Sequence, residues 1–129
     1  MNLLNDNRVT FNNKTKDDNV TLFLKIGAID RALTNIIDNG LKYCLSKVMI
    51  NLSKINEQIL IQIEDDGPGI EEKDYKKAFE AFNKLDINAK QGYGLGLAIS
   101  KNIINAHGGD ISLDKSQIGG LKVTIKLPI

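Results

Sequence analysis

Residues 48–69, VMINLSKINEQILIQIEDDGPG, contain two stretches of alternating apolar and polar residues, separated by Asn56-Glu57. Alternation with a period of two is typical of strands with one buried face, so this segment predicts an antiparallel hairpin. Asp65 has the same parity as the apolar residues of the second strand, which predicts that its carboxylate points to the buried face. A buried carboxylate needs a hydrogen-bond donor. The turn residues Asp66-Gly67-Pro68-Gly69 then end the strand.

Upstream of the hairpin the pattern predicts two strands and one helix. Residues 8–11 form a short candidate strand, and residues 20–26 alternate well enough for another. Asp30 is typical of a helix N-cap. The helix that follows has an apolar side and a polar side. The apolar side consists of Leu33, Ile36, Ile37, Leu41 and Cys44. The polar side consists of the amides and cations Arg31, Asn35, Asn39 and Lys42.

Downstream of the hairpin, residues 71–82 predict a short helix with Phe79 and Phe82, and polar residues 83–91 predict a mobile loop. Glycine-rich residues 92–97 open an apolar helix that runs to about residue 107, where Gly108-Gly109 stops it. The last strands, residues 111–113 and 123–127, predict a hairpin around Gly119-Gly120.

The order of these elements is strand, helix, two strands, a loop region, helix and two strands. It lacks the regular βαβ alternation of a doubly wound fold. We therefore predict an α+β fold, a two-layer α/β sandwich in which a mixed, mostly antiparallel sheet carries helices on one face. We expect residues 1–129 to form a single domain, with the functional motifs in about residues 20–129.

Composition excludes several classes of function. The 129 residues carry 17 basic and 16 acidic side chains, a formal net charge of +1, which argues against a dedicated nucleic-acid binder. One cysteine and one histidine exclude a disulfide framework and a Cys/His zinc cluster within the chain. No apolar run approaches the roughly 18 residues that a membrane span needs, and we expect neither a signal peptide nor direct membrane contact.

The glycine-rich segment Gly92-Tyr93-Gly94-Leu95-Gly96 has the physical logic of a phosphate site without matching a Rossmann fingerprint or a P-loop. Backbone amides without bulky side chains at a helix N-terminus attract anions. Asn39 offers a neutral oxygen for Mg²⁺, and Lys42 offers a cation for phosphate. Asp65 offers an acceptor for an exocyclic amino group, near glycines that let a flat ring approach. Together these groups predict a nucleotide pocket with a mobile loop over it.

Four segments in this order resemble the sequence boxes of the ATP-binding catalytic domain of bacterial sensor histidine kinases, in the superfamily of gyrase, Hsp90 and MutL. Residues 31–43 resemble the N box, residues 65–69 the G1 box, residues 79–82 the F box and residues 92–97 the G2 box. Within this family, the four segments resemble those of the osmosensor and magnesium-sensor kinases. Gly40 departs from the pattern, since alanine is usual there.

The resemblance implies a role for each matching residue. It implies that Asn39 holds Mg²⁺ with Asn35 assisting, that Lys42 touches phosphate, and that these three form the catalytic group. It implies that Asp65 fixes adenine and that a lid spans about residues 70–94. The implied ATP-contacting residues are Asn35, Asn39, Lys42, Tyr43, Asp65, Gly67, Gly69, Ile70, Phe82, Lys84, Gln91, Gly92, Tyr93, Gly94, Leu95 and Gly96.

The resemblance also implies a partner. The phosphorylated histidine of the family lies in a separate dimerisation domain, and no such motif occurs in this chain, whose single histidine, His107, we interpret as structural. The implied activity is transfer of the γ-phosphoryl group of Mg-ATP to that histidine, upstream of a response regulator and on the cytoplasmic side of an inner-membrane parent, with the isolated domain monomeric. The hydrolases of the superfamily carry a glutamate where this chain has Asn35, which favours a histidine acceptor over water.

Two other functions stay open at this point. One is an ATPase clamp, and the other is an ATP-binding interaction module or degenerate kinase fragment without transfer activity. The pocket also has a purely structural alternative. In that alternative Asn35 and Asn39 face solvent, and Asp65-Asp66 are turn residues only.

Overall fold

The computed structural model describes residues 5–15, 20–80 and 91–129, with the backbone alone at 91–95. Five strands, three α-helices and one short 3-10 helix lie in these ranges. In chain order they are β1 (Val9–Asn13), α1 (Ile26–Tyr43), β2 (Val48–Ile55), β3 (Gln58–Asp65), the 3-10 helix (Glu72–Asp74), α2 (Tyr75–Ala78), α3 (Gln91–Ala106), β4 (Asp110–Lys115) and β5 (Leu121–Pro128).

The strands form one sheet in the order β1-β2-β3-β5-β4. β1 pairs with β2 in parallel, and the other three pairings are antiparallel. α1 packs on β2 and β3, and α3 packs on β4 and α1. The buried core lies between these helices and the sheet, and the predicted two-layer α+β fold with both hairpins is confirmed.

The first helix begins one turn earlier than predicted. α1 starts at Ile26 with Lys25 as its N-cap residue, so Asp30 as N-cap is wrong. No side chain caps this end from within the helix; instead the Lys25 N–H donates to His107 Nε2 at 3.1 Å. The His107 ring then donates from Nδ1 to the Ile103 carbonyl at 2.8 Å. A residue 82 positions away thus satisfies a helix-end donor, which local sequence does not reveal.

Residues 20–25 form no strand, which corrects the prediction of one over residues 20–26. The alternation nevertheless decides which side chains turn inward: Val20, Leu22 and Leu24 are half-buried, whereas Thr21 and Phe23 are exposed. Periodicity specifies a buried side, but strand pairing also needs a neighbouring backbone with free donors and acceptors.

The helix predicted over residues 71–82 is much shorter. It is divided into the 3-10 helix and the four-residue α2, within which Ala78 is the one buried side chain. Tyr75 and Phe79 also pack against the core but are only partly buried, so little apolar burial supports a longer helix. Residues 81–90, which include Phe82, Lys84 and most of the predicted loop, lie outside the described residues.

The second long helix confirms the predicted apolar helix and its stop. Gly108 has φ +76°, and the Gly109 N–H donates to the Ile104 carbonyl, as in a glycine-terminated helix. Its start differs in one respect: α3 begins at Gln91, so the glycines at 92, 94 and 96 lie inside its first turns. The lid predicted over residues 70–94 therefore overlaps this helix at its C-terminal end.

Candidate functional site

The carboxylate at the end of β3 is buried and only partly hydrogen-bonded. Asp65 is 4% exposed, as its parity on β3 predicted. Its Oδ1 accepts hydrogen bonds from the backbone N–H groups of Gly67 at 2.9 Å and Leu121 at 3.4 Å. Burial raises the pKa of Asp65, and these two N–H donors oppose that rise. Oδ2 accepts no hydrogen bond from the described residues and is available to a ligand.

Two glycines let the backbone close around this carboxylate. A Cβ on Gly67 would lie 2.9 Å from the carbonyl carbon of Tyr43 and 3.1 Å from Asp65 Oδ1. Gly120 donates its N–H to the Asp65 carbonyl at 3.0 Å, and a Cβ there would collide with the Asp65 carboxylate. Sequence reasoning assigned Gly120 only to a hairpin turn. The Gly119-Gly120 doublet was the sequence signal that could have revealed this contact. Gly119, with its positive φ, serves the turn, and Gly120 lies against Asp65.

The neighbouring Asp66 has a different task. Its carboxylate accepts hydrogen bonds from the backbone N–H groups of Leu45 at 2.8 Å, Ser46 at 3.0 Å and Lys47 at 3.2 Å, and from Ser46 Oγ at 2.5 Å. These donors hold the pKa of Asp66 well below its usual range. Asp66 therefore ties the connection after α1 to the turn that follows Asp65. Of the two adjacent acids, only Asp65 retains an uncommitted oxygen.

The polar side of α1 is divided between solvent and protein. Arg31 and Lys42 are exposed and Asn35 is half-buried, whereas Asn39 is buried at 4% exposure, so the alternative of a solvent-facing side chain is wrong for Asn39. Asn39 is buried because α3 packs directly against it. Gly96 of α3 comes so close that a Cβ at that position would lie 3.0 Å from Asn39 Nδ2.

The Asn39 side chain makes no hydrogen bond to the described residues, and its Nδ2 is fully buried without a partner. An uncommitted buried amide is unusual, because burying such a group costs free energy unless a partner is supplied. No described partner fixes which end of this amide faces the cavity. It can therefore present its oxygen to a ligand.

Asn39 and Asp65 line the same small cavity. Its volume is about 10 Å³, near what one water molecule needs, and its other walls are Ile36, Gly40, Ile63, Leu97, Leu121 and Val123. The structure thus brings together the amide of the N box segment and the carboxylate of the G1 box segment.

The remaining predicted residues lie at varied distances from this cavity. Lys42 is exposed and forms an ion pair with Asp38, Nζ to Oδ2 at 3.4 Å, on the outer surface of α1. Tyr43 and Ile70 are half-buried and pack against the core. Gly69 has φ +70° and lies against Gly120. Gln91 to Leu95 form the first turns of α3, and Phe82 and Lys84 lie outside the described residues.

The donor set suits a magnesium ion that arrives with phosphates. Within residues 5–15, 20–80 and 91–129, no group of three or more His, Cys, Asp or Glu side chains is placed to hold a metal. Magnesium carried by phosphates needs only one or two protein oxygens, because phosphates and waters supply the rest. The uncommitted amide of Asn39 fits that requirement.

Comparison with known proteins supports a family assignment. The profile of the family described as "Histidine kinase-, DNA gyrase B-, and HSP90-like ATPase" matches residues 25–129. The sensor histidine kinase GtrS of Pseudomonas aeruginosa is 40% identical over 101 residues, which are 78% of this chain and 21% of GtrS. The chain thus spans about a fifth of the length of that curated relative.

Solved structures share the fold. The mycobacterial sensor histidine kinase MprB is 27% identical with a TM-score of 0.72, and the match covers 94% of this chain and 84% of that one. Full-length ShkA in complex with AMPPNP has a TM-score of 0.79 at 24% identity, and the match covers 94% of this chain and 25% of ShkA. At 24% identity the likeness to ShkA concerns the fold alone.

Proposed function

This chain belongs to the family of histidine kinase-, DNA gyrase B- and HSP90-like ATPases, as a histidine kinase-type ATPase domain, and on that premise we propose that it binds Mg-ATP and transfers the γ-phosphoryl group to a histidine of a separate dimerisation domain. The observation that carries the proposal is the pair of buried polar side chains, the Asp65 carboxylate and the Asn39 amide, at the meeting of α1, α3 and the end of β3. Each of these buried groups has an atom without a described protein partner.

Adenine recognition is assigned to the Asp65 end of the site. Oδ1 is held by Gly67 and Leu121, so the carboxylate is oriented before a ligand arrives. Oδ2 then accepts a hydrogen bond from the exocyclic amine of adenine. Gly67 and Gly69 leave room for the ring to approach the backbone, because neither carries a side chain. A base without an exocyclic amine at that position would leave the buried Oδ2 of Asp65 without a hydrogen bond, which costs free energy. The site therefore prefers adenine to such a base.

The phosphate end is assigned to Asn39 and to the start of α3. Asn39 would hold Mg²⁺ through its amide oxygen, with Asn35 assisting one turn earlier. When bound, this ion supplies positive charge that neutralises the phosphate oxygens. Backbone N–H groups in the first turn of a helix such as α3 bind anions, so Gln91, Gly92, Gly94 and Leu95 are assigned to the phosphates. Lys42 reaches them after leaving its ion pair with Asp38, which is exposed and weak.

The choice of acceptor follows from Asn35. A water or hydroxyl nucleophile needs a general base, and a neutral amide cannot take a proton at neutral pH. A neutral imidazole already carries the lone pair that attacks phosphorus. Catalysis by this chain is then positioning of the γ-phosphoryl group and neutralisation of its charge.

The proposed partners lie outside this chain. We assign the acceptor histidine to a dimerisation domain in the parent protein or in trans, and a response regulator to the next transfer, because the relative GtrS is a sensor histidine kinase. Within the described residues, no helix has the length and apolar character to cross a bilayer. We place the domain on the cytoplasmic side of a membrane-bound parent.

Binding is tested by titrating a fluorescent ATP analogue into wild type, Asp65→Asn and Asn39→Asp. Asp110→Asn is the matched control, since it removes an exposed carboxylate on β4 outside the cavity. We expect a loss of affinity of about tenfold or more for the two site variants and none for the control. Equal affinity for all four proteins would remove the pocket assignment.

Transfer is tested separately by mixing the chain with a purified dimerisation domain and radiolabelled ATP. Acid-labile, base-stable label on the dimerisation domain supports a phosphohistidine. Binding without label transfer supports the interaction module instead. Release of inorganic phosphate without transfer supports the ATPase clamp.

A further inference from the structure

A second and much larger cavity lies behind α1. Its volume is about 560 Å³, and it is open on one side. Residues 20–24, one side of α1 and the sheet enclose it; all its described lining residues are apolar except Thr15, Asp30 and Thr34. We name it the back cavity. It shares only Ile63 with the described walls of the cavity between Asn39 and Asp65.

The back cavity is too large to be a packing defect. Protein interiors are packed as densely as organic crystals, and voids larger than a water molecule are few. Sites for small molecules measure about 300–1,000 Å³ and have mostly apolar walls with a few polar groups. The back cavity matches that description in both size and lining.

Residues 20–24 line the cavity without forming a strand, and their inward side chains are incompletely buried. Val20, Leu22 and Leu24 turn inward but stay half-buried, and although Leu22 and Leu24 pack against the core, the segment pairs with no strand. Leu33 on α1 and Ile61 on β3 are likewise only half-buried across the cavity. These five apolar side chains have incomplete contacts, and an apolar guest would complete them.

The charge of the lining selects the head group of the guest. Asp30 is the one charged residue among the described lining residues; it is exposed, and none of the described ion pairs involves it. Thr34 lies one helical turn from Asp30 on the same side of α1. A protonated amine or a hydroxyl therefore finds a partner at this end. A carboxylate or sulfate would face Asp30 with no cation among the described lining residues to offset it.

We propose that the back cavity is a second ligand site, for a small hydrocarbon molecule that carries a protonated amine or hydroxyl at one end. Its side of α1, which includes Leu33 and Ile37, lies about 200° around the helix from Asn35 and Asn39. The guest and a nucleotide therefore occupy opposite sides of one helix. The site does not rest on the proposed function, and its test needs no nucleotide.

The test titrates octylamine, octanol and octanoate into the 129-residue chain below their micelle concentrations, followed by isoleucine and leucine methyl NMR. We expect octylamine and octanol to shift methyl signals of the lining residues, and octanoate to bind about tenfold more weakly or worse. Signals of Leu113, on β4 outside the cavity, stay in place.

Two variants make the test specific. Leu33→Phe fills the cavity and is expected to weaken octylamine about tenfold or more, whereas Leu113→Phe, a matched enlargement of another half-buried leucine, leaves it unchanged. Asp30→Asn, at an exposed position that tolerates substitution, is expected to bring octylamine and octanoate to similar affinity. If Leu33→Phe does not fold, Asp30→Asn still decides the head group, and the methyl shifts still decide the location.

Three results would overturn the proposal. The first is octylamine affinity that is equal in Leu33→Phe and Leu113→Phe. The second is octanoate binding as tightly as octylamine to the wild type. The third is methyl shifts spread evenly over the domain, which indicate general partitioning rather than a site.

Discussion

Replacing Gly120 by alanine tests whether the Asp65 pocket depends on a close backbone approach. The φ of Gly120 is not positive, so alanine can adopt its backbone conformation and only the added Cβ matters. That Cβ would lie 2.5 Å from the Asp65 carbonyl oxygen and 2.7 Å from the Gly67 nitrogen. Both atoms belong to rigid backbone, so the strand end and the turn must separate.

The magnitude follows from the contacts that separation breaks. The Gly120 N–H loses the Asp65 carbonyl at 3.0 Å, and Oδ1 loses its bond from Gly67 at 2.9 Å. A hydrogen bond to a charged group contributes about 1.5–3 kcal/mol, and overpacking costs about 1–3 kcal/mol. We therefore expect the free energy of unfolding to fall by about 3 kcal/mol, and the affinity for an ATP analogue to fall about tenfold or more.

Urea denaturation measures the first quantity, and fluorescence titration of folded protein measures the second. Gly27→Ala is the control, since nothing lies within 4 Å of its Cβ and it occupies the first turn of α1. That control is expected to match the wild type within about 1 kcal/mol. If Gly120→Ala matches the wild type in both stability and affinity, the close approach does not hold Asp65, and our account of the pocket is wrong.

Three further substitutions test other parts of the argument. Burial raises the pKa of Asp65 above 3.8, so the folded state binds the Asp65 proton more tightly than the unfolded state does. The stability that Asp65 contributes therefore falls as the pH rises from the pKa of the unfolded state to the higher pKa of the folded state. Asp65→Asn should therefore gain stability relative to wild type from mild acid to neutral pH in urea titrations; an unchanged difference would contradict this. Gly40→Ala should raise the free energy of unfolding by about 1 kcal/mol through helix propensity. Its Cβ would lie 3.2 and 3.5 Å from the two Val48 methyls and 4.0 Å from Asp65 Cβ, so a loss of stability in thermal denaturation would show that Val48 cannot yield. Ser100→Ala should cost about 1 kcal/mol, because the buried Ser100 Oγ donates to the Ala32 carbonyl at 2.8 Å and joins α3 to α1; unchanged urea denaturation would show that this bond contributes nothing.

The fold was predictable where one local signal sufficed. The period-two alternation around Asn56-Glu57 correctly predicted the β2–β3 hairpin and the burial of Asp65. Gly108 correctly predicted the end of α3, because a positive φ is a property of that residue type. The residues proposed to bind the phosphates stay predictions.

Prediction failed where a distant group replaced a local one. Asp30 has a side chain typical of an N-cap, yet α1 begins earlier, where His107 accepts the Lys25 N–H. Asn39 was expected to serve a pocket, but its sequence neighbours do not reveal that α3 covers it, with a Cβ on Gly96 only 3.0 Å from its Nδ2. A pattern in one segment cannot register a partner that approaches from another part of the chain.

The sequence by itself determined the two hairpins, the two long helices, the inward direction of Asp65 and the family, because these depend on residue type, period and spacing along one strand or helix. Only the tertiary structure decided that Asp65 Oδ1 is held by Leu121 and Gly67 while Oδ2 is left over, that Asn39 faces the same cavity, and that residues 20–24 leave a space behind α1. The physical reason is that a cavity is defined by the surfaces of several segments at once, and its shape depends on how closely their backbones approach.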